Sequence, residues 1–115
     1  YRDYEKQSVL YYQVYNQDDS ISARPGFSEH QTGLALDISR PGDGLTLLFE
    51  QSPSFAWLMA NGHKYGFILR FPPGKESITG YSYEPWHFRY VGAIAAEIRE
   101  KNLTLEEYIF SNMEI

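Results

Sequence analysis

Pro85 interrupts the run Glu84-Pro85-Trp86-His87 and argues against a regular helix through Glu84 and His87. A proline has no N–H to give a helix interior, and its ring crowds the preceding turn. That sets aside the common helical arrangement in which two histidines one turn apart, with a glutamate between them, hold a metal. The segment reads instead as a bend leading into a strand, so its two reactive side chains need partners from elsewhere in the chain. Those partners stand in a second block, Ser28-Glu29-His30-Gln31-Thr32-Gly33-Leu34-Ala35-Leu36-Asp37. His30 and Asp37 bracket Gly33, where a turn can bring both side chains to one point. Asp37 also lies in the apolar stretch Leu34-Ala35-Leu36-Asp37-Ile38, and a carboxylate there is costly unless it is paired or on a metal.

Taken together, the blocks offer two imidazoles and one carboxylate, a usual catalytic zinc set that leaves a fourth tetrahedral position for water. Glu84 is the spare carboxylate and is available as the base that activates that water. Each block alone also fits a plainer reading. His30 and Asp37 would then be a loop histidine and a hydrogen-bonded strand aspartate. Glu84 would be a surface glutamate, and His87 a histidine between the aromatics Trp86 and Phe88. The metal reading is favoured because both blocks are present. His63, beside Lys64 near a helix end, suits the helix dipole and solvent and is given no role. Arg70 closes an apolar run and is a candidate fixed cation for a substrate carboxylate, which the planar arginine fork suits better than lysine.

At 115 residues the chain is expected to form one domain over residues 1–115, with a core that needs no staples. A hydrophobic share of 43% and an aromatic share of 17% are those of a globular protein. The formal charge of −5 argues against nucleic acid as a partner, since no basic stripe is present to neutralise phosphates. No apolar run approaches bilayer length, so no membrane insertion is expected within this chain. With no cysteine, disulfides and thiolate metal sites are excluded. The abrupt opening on Tyr1-Arg2-Asp3-Tyr4 reads as a folded core trimmed at its N-terminus, with an anchor or signal expected in the missing segment.

Periodicity predicts a first helix from about Asp3 to Asn16, with Asp3 as N-cap. A polar loop through Arg24-Pro25-Gly26 follows, then a strand over Leu34 to Ser39. A second helix is expected over Ser54 to Tyr65, with Ser52 as cap, Pro53 at its first position and Gly66 as its stop. Short strands are expected at Phe67 to Phe71 and Trp86 to Tyr90, and a third helix over Val91 to Lys101. Thr104-Leu105-Glu106-Glu107 is a capping-box pattern opening a last helix. The implied class is α+β, a small central antiparallel sheet flanked by helices, with the zinc site in a cleft on the sheet. With no heptad or exposed apolar helix face in the pattern, a monomer is the default.

These motifs resemble the VanY-type zinc carboxypeptidases of bacterial cell walls, which belong with the wider lysostaphin, D-Ala-D-Ala metallopeptidase and Hedgehog-like group. The resemblance rests on Ser28-x-His30 followed by Asp37, and on Glu84-Pro85-Trp86-His87. The opening Tyr1-Arg2-Asp3-Tyr4-Glu5-Lys6-Gln7 resembles the family's YR-S-x-x-x-Q segment, with Asp3 where serine is common. Tyr65-Gly66-Phe67-Ile68-Leu69-Arg70-Phe71 resembles its GF-x-x-R-Y strand, with Phe71 where tyrosine is frequent. Thr79-Gly80-Tyr81 and Phe88-Arg89-Tyr90-Val91-Gly92 also fit.

The resemblance implies a zinc ion (Zn2+) on His30, Asp37 and His87, with Glu84 as general base and then acid. It implies Arg2 as stabiliser of the substrate carbonyl or terminal carboxylate, Gln7 and Ser28 as further hydrogen-bonding partners, and Arg70, Phe71 and Trp86 along the cleft. The implied activity is removal of a terminal D-alanine from peptidoglycan stem peptides outside the cytoplasm. Two substrates stay open: a pentapeptide ending in D-Ala-D-Ala, or a tetrapeptide cut by an L,D-enzyme. The clamp of Arg2, Gln7 and Ser28 inclines the reading to L,D. A peptidoglycan endopeptidase and a non-catalytic zinc-binding module are the alternatives.

Overall fold

The computed structural model describes residues 1–113; Glu114 and Ile115 lie outside the described residues. Its centre is a three-stranded antiparallel sheet of β1 (Ala35–Asp37), β3 (His87–Tyr90) and β2 (Phe67–Leu69), with β3 in the middle. Across the first pair the register sets Ala35 against Arg89, Leu36 against Phe88 and Asp37 against His87. Side chains opposite each other in an antiparallel pair share a face of the sheet, so Asp37 and His87 emerge together. Phe88, the next residue along β3, points to the other side and is 1% exposed.

Among the described residues the sheet is accompanied by five short α-helices: α1 (Tyr4–Val9), α2 (Pro53–Asn61), α3 (Glu76–Thr79), α4 (Ala95–Glu100) and α5 (Leu105–Ser111). Their starts follow local chemistry. Asp3 caps α1 by accepting from the Lys6 N–H at 2.7 Å. Ser52 caps α2 from the Phe55 N–H at 3.0 Å, with Pro53 in the first turn where its missing N–H costs nothing. At α5 the capping box closes in both directions, Glu107 N–H to Thr104 Oγ1 and Thr104 N–H to Glu107 Oε1. Ile68, Ala95, Ile98 and Leu105 form a buried cluster that fastens β2 to α4 and α5, with Val91, Ile94 and Tyr108 packed against it.

Gly66 ends a 3-10 turn, Gly62–Tyr65, at φ +88°, and turns the chain into β2. A Cβ there would stand 2.7 Å from the Tyr90 ring and 3.1 Å from the Gly92 Cα, so only glycine fits between β2 and the end of β3.

The structure departs from the sequence expectations in several places. The first helix is α-helical only to Val9; Leu10–Val14 widens into a π turn, with the Tyr15 N–H reaching the Leu10 carbonyl at 2.8 Å. The strands are shorter than their apolar runs: β1 ends at Asp37 and β2 at Leu69, although the Ile38 and Arg70 N–H groups still reach the Trp86 and His87 carbonyls at 2.9 and 3.2 Å. The third helix begins as a 3-10 turn, Gly92–Ile94, before α4. Three single-turn elements, at Glu29–Thr32, Leu47–Gln51 and α3, were not expected. One turn contains too few residues to display a period.

Candidate active site

The His30 block is built from its own local bonds. Ser28 caps the 3-10 turn Glu29–Thr32, accepting from the His30 N–H at 3.3 Å. Gly33 closes that turn at φ +77° and releases the chain into β1, which ends at Asp37. Pro85 and Trp86 form the turn before β3, with the His87 N–H on the Glu84 carbonyl at 3.2 Å, so the bend read from Pro85 is present. This brings the two blocks into one cluster. His30 Nε2 and His87 Nδ1 lie 3.1 Å and 3.2 Å from the same Asp37 Oδ1. Glu84 Oε1 lies 3.5 Å from His87 Nδ1.

The donor atoms of His30, Asp37 and His87 lie within 4.8 Å of one another. Asp37 Oδ1 is buried between the two imidazoles without a hydrogen bond, an arrangement that costs free energy if nothing else takes its lone pairs. An orphaned carboxylate oxygen facing two ring nitrogens fits a divalent cation, and two imidazoles with one carboxylate fit zinc.

The charges around the cluster separate the carboxylates. Glu84 is 8% exposed; burial, reinforced by Asp37 and Glu29 against the opposing His87 and Arg2, pushes its carboxyl up to about 7. That suits a group that must take and return a proton near neutrality. Asp37 goes the other way: burial disfavours its charge, yet the flanking imidazoles hold it well below the usual carboxylate range. His87 is likewise opposed by burial, but Asp37 and Glu29 raise it to about 9.

Arg2, Gln7, Ser28, Phe71, Glu84 and Trp86 line one cleft with the three candidate ligands. Within it Arg2 is held on both sides, Nη1 to Gln7 Oε1 at 2.9 Å and Nη2 to Asp37 Oδ2 at 3.1 Å. Gln7 differs from its sequence expectation. It is 1% exposed, and its amide also donates to Ser22 Oγ and the Ala23 carbonyl, so it braces Arg2 and has no free donor to offer. Arg70 is the clearest correction. Its guanidinium grips both oxygens of Glu106 at 2.7 and 2.8 Å and donates from Nε to Glu29 at 3.0 Å, and it does not line the cleft. Phe71 packs against the His87 ring, centroids 4.8 Å apart, and Tyr81 stacks on Phe71 at 4.6 Å. His63 lies apart from the site, and its Nδ1 is buried without a partner, contrary to the solvent-facing reading.

Sequence reasoning missed Glu29. Its Oε1 sits 2.6 Å from His87 Nε2, and its Oε2 accepts from Arg89 Nη1 at 2.8 Å and from Arg70. Burial opposes its charge, but His87 and the two arginines hold the carboxyl down at about 2. The only signal in the chain was its place beside His30, since all its partners are remote in sequence.

The family model described as VanY, D-alanyl-D-alanine carboxypeptidase, matches residues 1–93. The chain belongs to this family. It is 47% identical over 122 residues to the putative carboxypeptidase YodJ of Bacillus subtilis (strain 168), covering 94% of this chain and 42% of that protein. It is 47% identical over 110 residues to a D-alanyl-D-alanine carboxypeptidase of Enterococcus faecium, covering 95% of this chain and 34% of that protein. The chain therefore spans less than half the length of these relatives. Among solved structures, the LdcB LD-carboxypeptidase aligns with a TM-score of 0.87 at 44% identity, over 100% of this chain and 57% of that one. VanYB in complex with D-alanine-D-alanine aligns with a TM-score of 0.77 at 39% identity, over 98% of this chain and 68% of that one. A D,D-pentapeptidase VanY in complex with Zn(II) aligns at 0.74 and 40% identity, over 95% of this chain and 67% of that one.

Proposed function

We propose that this VanY-family chain is a zinc carboxypeptidase that removes a terminal D-alanine from peptidoglycan stem peptides, and works outside the cytoplasm where that substrate is found. The observation that carries the proposal is the orphaned Asp37 Oδ1 between His30 and His87, with Glu84 beside His87 Nδ1. Zinc held by His30, Asp37 and His87 would supply a Lewis acid for the scissile carbonyl and its attacking water.

The chain's own residues account for the remaining steps. Glu84, buried and raised toward neutrality, accepts the proton of the attacking water and delivers it to the departing amine nitrogen. Arg2 is pre-oriented by Gln7 and Asp37 and presents a fixed positive charge to the terminal carboxylate or the developing oxyanion. Ser28 offers a hydroxyl at the cleft wall, and Trp86 and Phe71 supply apolar sides for a small residue. Zinc, Glu84 and a braced cation make a site for a short free C-terminus, a clamp that an endopeptidase would leave idle on an internal bond.

The likeness to the LdcB LD-carboxypeptidase over the whole chain supports the L,D reading, in which the bond cut lies between the diamino acid and D-alanine. The test is mass spectrometry of zinc-loaded protein with muropeptide-derived tetrapeptide and pentapeptide, with and without chelator. Loss of one alanine from the tetrapeptide establishes the L,D-activity, and loss from the pentapeptide alone makes it a D,D-enzyme. Zinc binding with neither peptide cut returns the endopeptidase and the non-catalytic zinc module to the front.

A further inference from the structure

Glu29 is a half-buried carboxylate that the proposed chemistry does not use. Its Oε1 lies 2.6 Å from His87 Nε2, while its Oε2 is taken by Arg70 and Arg89. An ionised carboxylate can only accept, so this contact requires the His87 proton on Nε2. In the neutral imidazole, the form that can bind a metal, the lone pair is then left on Nδ1, the nitrogen that faces Asp37 Oδ1 at 3.2 Å. Arg70, for its part, is anchored by both Glu106 oxygens on α5. Glu106 lies beyond residue 93, where the family match ends.

We infer that Glu29 is a positioning residue that selects Nδ1 of His87 as the metal-binding atom, and that Glu106 on α5 fixes Glu29 in place through Arg70. The inference rests on the zinc reading of His30, Asp37 and His87. A ligand imidazole is free to rotate and to change tautomer unless its second nitrogen is engaged, and a carboxylate there also makes the ligating nitrogen more basic. Glu29 sits on a single 3-10 turn, which is a weak platform by itself. The two-pronged Arg70–Glu106 pair fixes the guanidinium plane, and only its Nε remains directed at Glu29. The C-terminal helix thereby becomes part of the metal site's support.

The first arm of the test is long-range proton–nitrogen NMR of the imidazoles in the zinc-loaded protein. The expected result is His87 with a protonated Nε2 and a metal-shifted Nδ1; the reverse assignment overturns the inference. The second arm measures zinc affinity by competition with a chromogenic chelator for wild type, Glu29→Gln and Glu106→Gln. Glu29→Gln is expected to weaken zinc by roughly 10–100-fold, the usual cost of losing such a support, and Glu106→Gln by a smaller factor. Wild-type affinity in both variants overturns it. Should Glu29→Gln fail to fold, judged by circular dichroism, the nitrogen assignment and Glu106→Gln decide. Neither arm needs turnover, so a wild-type protein that cuts no peptide counts against the carboxypeptidase reading and leaves this inference standing.

Discussion

Asp37 lies directly opposite His87 in the β1–β3 register, and its orphaned Oδ1 is the point toward which His87 Nδ1 and His30 Nε2 both turn. The cluster is therefore a place where the fold stores an uncompensated acceptor, and filling it should stabilise the chain. Zinc at 100 times its dissociation constant is expected to add about 2.7 kcal/mol of stability, removed by a chelator. Thermal melts with and without chelator measure this, and coincident melts contradict it.

The same cluster predicts how that gap changes with pH. Without metal, His87 is raised from 6.5 to about 9 by Asp37 and Glu29 acting against burial. Its protonated form therefore stabilises the metal-free fold fully below about 6.5, and that contribution is lost as pH rises through about 9. Zinc requires the neutral imidazole, so its binding strengthens over the same window. The melting gap between loaded and chelated protein should widen from pH 6.5 to 9; a gap independent of pH would show that His87 is not a ligand.

Arg2 and Gln7 should separate into two kinds of defect. Removing a donor to the developing oxyanion costs on the order of 10²–10³ in rate, the loss expected of Arg2→Ala. Gln7→Leu removes the brace from the guanidinium together with the bonds to Ser22 and the Ala23 carbonyl, and should lower activity by less, with its zinc affinity kept. Steady-state kinetics alongside chelator competition checks this. A Gln7→Leu defect equal to that of Arg2→Ala would mean that Gln7 touches substrate directly.

Thr104 is fully buried at the start of α5, and its hydroxyl satisfies the Glu107 N–H. Thr104→Ala should lower stability by about 1 kcal/mol, the usual cost of a lost N-cap. Urea unfolding measures it, with an unchanged m-value expected. Gly66→Ala should cost more, because it combines a positive φ with a Cβ pressed against Tyr90.

Much of this site was legible because its signals are local. Pro85 excludes a helix through Glu84 and His87 from covalent geometry alone, and the structure has the turn. Asp37 stood out as a carboxylate in an apolar run, and Thr104 and Glu107 announced their own cap. Glu29 left no such trace: its partner His87 is 58 positions away and Arg70 is 41 away. Arg70 is illegible for the same reason, since Glu106, 36 positions on, takes the guanidinium that the sequence offers as a cation for substrate. Side chains that work through local bonds can be read from order and spacing, whereas those that work across the sheet need its register.

The most direct test of the account is Glu84→Gln, which keeps the shape of the side chain and removes its ability to take a proton. Zinc content and peptide hydrolysis would be measured on the same preparation. Wild-type zinc, a wild-type fold and no release of D-alanine are the expected results. Loss of zinc would contradict the account by making Glu84 a ligand, and undiminished turnover would contradict it by placing the base elsewhere.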